Sequence, residues 1–185
     1  MNAVFGLALQ EHTTALNVTR REDAKRIFKP HARRFDPEPC LYSDADPEMI
    51  VIAHFVSPVT IRRMIVIGGG DTDQHPNQMI CYVNKDGIDF NNLSDFSPVQ
   101  GFDLPINSSG EAILTTVQAA FTNVHTLTMF FPGNHGGADQ TVIQYIGLQG
   151  DHTHYRRQPV HTYYELLDAH EDVKTREEYN NRMGV

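Results

Sequence analysis

From about Glu48 onward the apolar residues recur at every second position in short runs, and each run is cut by glycine, proline, asparagine or aspartate. Alternation of this kind suits half-buried strands, because successive side chains of a strand point to opposite faces. Met49-Ile50-Val51-Ile52-Ala53-His54-Phe55 is a β-branched run that the Ser57-Pro58 turn signal is expected to close. Residues 60–67 then put Ile61, Ile65 and Ile67 on one face and Met64 and Val66 on the other, stopping at Gly68-Gly69-Gly70-Asp71. Residues 79–83 read as a short strand before the turn cluster Asn84-Lys85-Asp86-Gly87, and a further short apolar segment surrounds Phe102-Asp103-Leu104. Residues 125–131 set Leu127, Met129 and Phe131 on one face, and residues 141–148 form the last clear core strand, bounded by Gly150. In residues 111–120 the alanines favour helix and the threonine pair with Val117 favours strand; strand is the reading adopted.

Many short strands, frequent turns and few helical patterns predict an all-β sandwich. Its expected interior holds Ile52, Ile65, Ile67, Leu127, Met129, Phe131, Ile146 and Leu148. The ends differ from this middle. Residues 20–35 are charged, and Pro30, Pro37 and Pro39 forbid a continuous helix there. Residues 159–167 can add one more strand, whereas residues 168–181 carry no large apolar face and are expected to be a frayed helix or disordered. The expected division is an N-terminal segment 1–19, a sandwich domain 20–167 and a charged tail 168–185.

A chain of 185 residues suits one domain with appended segments or at most two small ones. No apolar run reaches the roughly 20 residues that a membrane-spanning helix needs. The first eleven residues lack a basic stretch and make a poor secretion signal, so an intracellular protein is expected. On that expectation the sequons at Asn17, Asn92 and Asn107 carry no meaning.

Charge is unevenly spread. The chain has a net charge of −8. Residues 41–150 hold Arg62, Arg63 and Lys85 against eleven acids, while residues 20–34 hold seven basic residues against Glu22 and Asp23. The overall sign argues against nucleic acid as the main partner, since phosphate binding needs a basic field. The basic stretch fits either a solvated arm or a contact with an acidic partner.

The reactive residue types form no familiar catalytic set. Cys40 and Cys81 are far apart and make neither a Cys-x-x-Cys centre nor a zinc ribbon. The triple glycine follows a strand but leads into Asp71-Thr72-Asp73-Gln74-His75-Pro76, whose carboxylates and proline rule out a phosphate loop. Asp71, Asp73 and His75 offer a fragment of a calcium site at best, and a solvated acidic turn is the better reading. His152 and His154 share a face of an extended segment, with His161 and His135 as candidate third ligands, but Gln158 and Pro159 stand where a metal-binding barrel would supply glutamate. No metal and no cofactor is therefore expected. No serine lies in a Gly-x-Ser-x-Gly elbow, and the absence of tryptophan weakens a sugar-binding reading without removing it.

An ordered set of short motifs carries a resemblance. It begins with Phe28-Lys29-Pro30 and Ser43-Asp44-Ala45-Asp46, continues through Gly70-Asp71, His75-Pro76 and Met79, and then Phe121-Thr122-Asn123-Val124-His125 and Gly137-Ala138-Asp139. It ends with Tyr145-Ile146-Gly147-Leu148-Gln149-Gly150 and Arg156-Arg157. In this order and spacing, over residues 27–165, the chain resembles the PITH domain, a module found C-terminal to thioredoxin in a thioredoxin-like protein and also standing alone. The stand-alone branch is the more similar, since no thioredoxin domain precedes these motifs. His31 departs from the tryptophan that this branch tends to carry after Lys-Pro, and Gln140 from a threonine.

The resemblance implies a galactose-binding-domain-like jelly-roll sandwich with an irregular N-terminal arm and C-terminal tail, and no catalytic residues. It also implies association with the proteasome regulatory particle, and a cytoplasmic location with the nucleus as a further compartment. A monomer is expected, and no membrane partner. Within such a fold Ser43-Asp44-Ala45-Asp46 suits a side-chain-capped turn, and Gly147 a bulge or a close backbone approach. Arg156 and Arg157 are the candidate partner contacts, because guanidinium groups are enriched at interface hot spots; the competing reading is that they guard a sheet edge. The alternative function is a small-ligand or carbohydrate binder that uses the loops at one end of the sandwich.

Overall fold

The computed structural model describes residues 12–152. Eight antiparallel strands follow one another: β1 (Thr14–Leu16), β2 (Leu41–Tyr42), β3 (Met49–Gly68), β4 (Gln78–Val83), β5 (Gln100–Asp103), β6 (Leu114–Thr115), β7 (Val124–Phe131) and β8 (Val142–His152). The α-helical segment α1 (Asp23–Arg26) and three single 3₁₀ turns complete the elements. No helix among the described residues is long and apolar enough to cross a membrane.

The 20-residue strand β3 organises everything else. Its first half, Met49 to His54, pairs with β7 and β1, and β7 continues through β4 to β5. Its second half, from Val59 onward, pairs with β8 and β6, and β8 carries β2. One strand thus serves two sheets, and the ladder is irregular between His54 and Val59, around Ser57 and Pro58. The expected break at Ser57-Pro58 is therefore an irregularity inside a strand: proline has no N–H to donate, so it sits in the gap before Val59, which pairs with both Val124 of β7 and His152 of β8.

The two sheets close on one apolar cluster. Val51, Ala53, Met79, Leu127, Met129 and Phe131 come from the first sheet, and Leu41, Ile61, Met64, Val66, Ile146 and Leu148 from the second. Three expected core residues lie outside it, since Ile52 and Ile65 are only half-buried and Ile67 is buried on the face it shares with Ile65. The cause in β3 is a bulge. Ile61 pairs with Gly150 and Arg63 with Gln149, which leaves Arg62 as the extra residue. One added residue inverts the alternation that follows. Met64 and Val66 therefore join Ile61 inside, and Ile65 turns to the outer face. Ile52 lies beside the smaller outer cluster of Ile50, Tyr82, Ile88 and Phe130. Residues 111–120, read as strand, contribute only Leu114 and Thr115 to pairing.

The turn from Ser43 to Glu48 is fixed by side chains, as its sequence suggests. Glu48 N–H donates to Asp46 Oδ1 at 3.0 Å, and Thr141 N–H donates to the buried Ser43 Oγ at 2.9 Å. Asn17, at φ 56°, accepts from Ala45 N–H and donates to Asp46 Oδ1 at 2.7 Å. β1 is thereby tied to the start of β3.

Candidate interaction surface

The basic stretch of residues 20–34 is packed against the sandwich. Ala24, Ile27 and Phe28 are buried in the main core, and Ile146 N–H of β8 donates to Ile27 O at 3.1 Å. Lys29 follows them inward and its ammonium donates to Asp36 O at 2.7 Å. Burial lowers the Lys29 pKa below its ordinary value, opposed by the charges of Cys40, Asp36 and Glu38. Arg34 stacks on the Phe35 ring at 4.1 Å and donates to His31 O at 2.9 Å. Gln144 of β8 donates to Arg34 O at 3.1 Å, which fixes the arm to the second sheet.

This packing builds a groove of about 740 Å³ lined by Arg20, Asp23, Arg26, Arg33, Glu38 and Tyr42, among others. Arg26 pairs with Asp23 at 3.0 Å and Arg33 with Asp36 at 2.6 Å, both guanidiniums remaining largely exposed. The exposed Arg33–Asp36 pair holds little energy and exchanges readily with an incoming carboxylate, whereas Arg26 is held by the buried carboxylate of Asp23. Arg20 makes no ion pair among the described residues. Glu38 accepts from Cys40 N–H at 3.0 Å and from Tyr42 OH at 3.1 Å, so internal donors hold its carboxylate. The Tyr42 pKa is pushed up to about 12 by burial and then by Cys40 and Glu38, so Tyr42 remains a phenol donor. The groove presents guanidinium forks, whose planar geometry matches carboxylates.

The other residues singled out in the sequence do not assemble into a reactive centre. Cys40 is buried and its thiol donates to Pro37 O at 2.8 Å, while burial pushes the core thiol of Cys81 up to about 12. Both are free cysteines held as thiols. Asp71 and Asp73 are exposed on a 3₁₀ turn, Thr72–Gln74, where Asp71 and Gln74 form a reciprocal cap. His75 leaves them and enters the interior, 2% exposed. The ring Nε2–H of His135 donates to Leu104 O at 2.8 Å. His152 ends β8 by its backbone. His154, His161, Arg156 and Arg157 lie outside the described residues. No group of three metal-ligating side chains occurs among the described residues.

His75 has a consequence for stability. Its ring packs on Gly68, where a Cβ would come within 2.2 Å of the imidazole, and Nδ1 has no hydrogen-bond partner. Burial first, and then the neighbouring His135, lower its pKa below 6.5, with Asp73 opposing. The unfolded chain therefore takes up a proton before the folded one does. Stability contributed by neutral His75 is complete above the unfolded pKa and falls as pH drops from about 6.5 towards the lower folded value. Urea midpoints measured at pH 7.5 and pH 5.5 should fall for the natural chain, and fall less for His75→Gln. Equal falls in the two proteins would show that His75 does not titrate as described.

Sequence reasoning missed one interior polar centre beside this region. Asn134 is buried, its amide donating to Ala138 O at 2.8 Å, Gln140 O at 3.2 Å and Thr141 Oγ1 at 3.2 Å, and its carbonyl accepting from Ala138 N–H at 2.9 Å. Only its place after Pro132-Gly133 hints at a turn, and nothing in the pattern hints at burial.

Comparison with known proteins places this geometry. Solved structures with the same fold include CBM32-3 from a family 31 glycoside hydrolase of Clostridium perfringens, at TM-score 0.57 and 12% identity over 80% of this chain and 95% of that one. A second is CpGH89CBM32-5 of the same organism, in complex with GalNAc-β-1,3-galactose, at TM-score 0.58 and 11% identity over 80% of this chain and all of that one. At such identities the likeness concerns the fold, a galactose-binding-like jelly-roll sandwich. Sequence relatives are nearer. PITH domain-containing protein 1 of Dictyostelium discoideum is 33% identical over 88% of this chain and 79% of its own length. Its namesake in Homo sapiens is 34% identical over 84% of this chain and 74% of its own. The family described as PITH domain matches residues 9–168, which takes in the arm, the groove and every strand, and the chain belongs to that family.

Proposed function

We propose that this chain is a non-enzymatic protein-interaction module that associates with the proteasome regulatory particle and approaches it with its cationic arm leading. The partner is the one that the family resemblance implies, and the arm supplies the physical support. Packing of Ala24, Ile27 and Phe28 into the core fixes Arg20, Arg26 and Arg33 around one groove, in a chain whose net charge is −8. A fixed separation of charge orients docking and speeds encounter more than it deepens affinity. Arg156 and Arg157, which follow β8 in sequence, are proposed as direct contacts on the same reading. The module acts as a monomer, in the cytoplasm and with the nucleus open to it, without metal or cofactor.

Co-sedimentation with purified regulatory particle at two salt concentrations tests this. Binding is expected at low salt and should weaken at high salt, because exposed charges are screened beyond about 8 Å at physiological ionic strength. An Arg156→Ala/Arg157→Ala variant should bind less. Absence of co-sedimentation at low salt would remove the proteasome reading, whereas binding unchanged in the double variant would remove only that residue assignment.

A further inference from the structure

The outer face of the second sheet carries a hollow separate from the arginine groove. The bulge at Arg62 turns Arg63 and Ile65 outward, and pairing sets Ile65 opposite Gly147 and Arg63 opposite Gln149. On the other side Met64 pairs with Leu114 and Arg63 with Thr115, so the same register carries Ile113 alongside Ile65. Ile113, Ile65 and Gly147 thus form one row across three strands, with Arg63 in the next. Gly147 makes room in this row for the ring of Tyr145. A Cβ there would come 2.5 Å from the hydroxyl of Tyr145, two residues back on the same face, and Tyr145 is fully buried. Beside the glycine and that ring lies a hollow of about 250 Å³, lined by His31, Arg63, Ile65, Ile113, Gly147 and Gln149, among others.

Its chemistry is specific. Ile113 is 53% exposed, an apolar wall facing water. Residues 41–150 hold only three basic side chains, and two of them, Arg62 and Arg63, stand at this bulge. Arg62 is committed to Asp151 at 2.6 Å, while Arg63 is exposed and carries no ion pair among the described residues. The arm brings His31 to the same rim. A void about the size of one large side chain, with an apolar floor and a cationic rim, is complementary to a carboxylate-flanked apolar anchor.

We infer that the hollow beside Gly147 is a docking site for an acidic peptide segment that packs one large apolar side chain against Ile65 and Ile113 and sets its carboxylates against Arg63. The inference rests on the interaction-module reading above and names the surface and the partner chemistry for it. The anchor replaces water on Ile113 and Ile65, and the charges fix its direction.

The test uses the full chain labelled with ¹⁵N, titrated with a synthetic peptide of one leucine flanked by three glutamates on each side. Amide shifts are expected around Arg63, Ile65, Ile113 and Gly147. A peptide with alanine at the centre, and one with lysines as flanks, should each bind about tenfold more weakly, the change that about 1.4 kcal/mol produces. Arg63→Glu should weaken the glutamate peptide by about tenfold and reverse the charge preference, and Ile113→Asp should weaken it similarly. Both side chains are exposed, so unchanged spectra elsewhere will show an intact fold. Shifts absent at millimolar peptide, confined to the Arg20–Arg33 groove, or equal for the alanine peptide would overturn the inference. Co-sedimentation separates the two readings. Regulatory particle bound equally by the natural chain and by Arg63→Glu, with no peptide shifts at the hollow, defeats the hollow alone. Peptide bound at the hollow by a chain that never co-sediments defeats the proteasome reading alone.

Discussion

Phe131→Ala is expected to lower the free energy of unfolding by about 3–5 kcal/mol, the usual cost of deleting a fully buried phenylalanine. Phe131 ends β7, pairs with Met49 at the start of β3 and is completely buried in the cluster between the sheets. Its ring fills space that both sheets line, so neither sheet can collapse alone into the cavity left behind. A typical domain has about 5–15 kcal/mol in total, and the loss is a large fraction of that. Phe90→Ala is the control. Phe90 is 38% exposed and meets Phe130 edge-on at 6.2 Å, so its removal should cost clearly less than that of Phe131, the edge-on contact adding only about 0.5–1.5 kcal/mol beyond the area it buries. Urea unfolding with an unchanged slope reads both values. A Phe131→Ala cost below that of Phe90→Ala would refute the two-sheet core.

Where alternation ran unbroken, the sequence read correctly. Leu127, Met129 and Phe131 share a face of β7 as their spacing requires, and all three are buried in the main cluster. β3 defeated the same logic. A bulge is set by the pairing partner, and no residue around Arg62 announces that β8 will skip it. Ile65 therefore looked like core and Met64 like surface. The Ser57-Pro58 signal was real chemistry wrongly weighted, since it interrupts the ladder with β7 without ending the strand, and at Val59 pairing with Val124 resumes while β8 begins. Strands β1 and β2, three and two residues long, carry too few alternations to be seen at all.

The interaction surface was legible in its parts and hidden in its assembly. The seven basic residues of 20–34 were plain, and so was their lack of a continuous helix. That Ala24, Ile27 and Phe28 anchor the arm was not, because three apolar residues in a charged stretch give no period to read. The motif order identified the family, and Gly147 stood out within it as a position needing space. The space that glycine yields goes to the ring of Tyr145, and the hollow beside it depends on Ile113, Arg63 and His31, brought together from three distant segments by strand register and by the packing of the arm. His75 shows the same limit. Its neighbours Asp71 and Asp73 suggested a ligand set, yet the 3₁₀ turn between them leaves both carboxylates outside and carries the ring in.

Gly150→Ala is expected to destabilise the protein by about 2–3 kcal/mol, in the range of an overpacked interior. Gly150 pairs with Ile61 beside the bulge of β3, and a Cβ there would lie 1.8 Å from the carbonyl oxygen of Thr60 and 2.8 Å from its carbon. These are backbone atoms, so no side-chain rotation relieves the contact, and β3 and β8 must part where the second sheet begins. Gly101→Ala separates this clash from a general effect of glycine replacement. Gly101 lies in β5 with nothing within 4 Å of a Cβ and a φ outside the left-handed region. Its replacement should be neutral or stabilise by about 0.4–1 kcal/mol, through a less flexible unfolded chain. The pair of variants therefore diverges in sign or nearly so, and thermal or urea unfolding of both measures the gap. Similar stabilities for the two would mean that β3 and β8 are not as close at Thr60 as described, and the register that places Arg63 opposite Gln149 would fall with that approach.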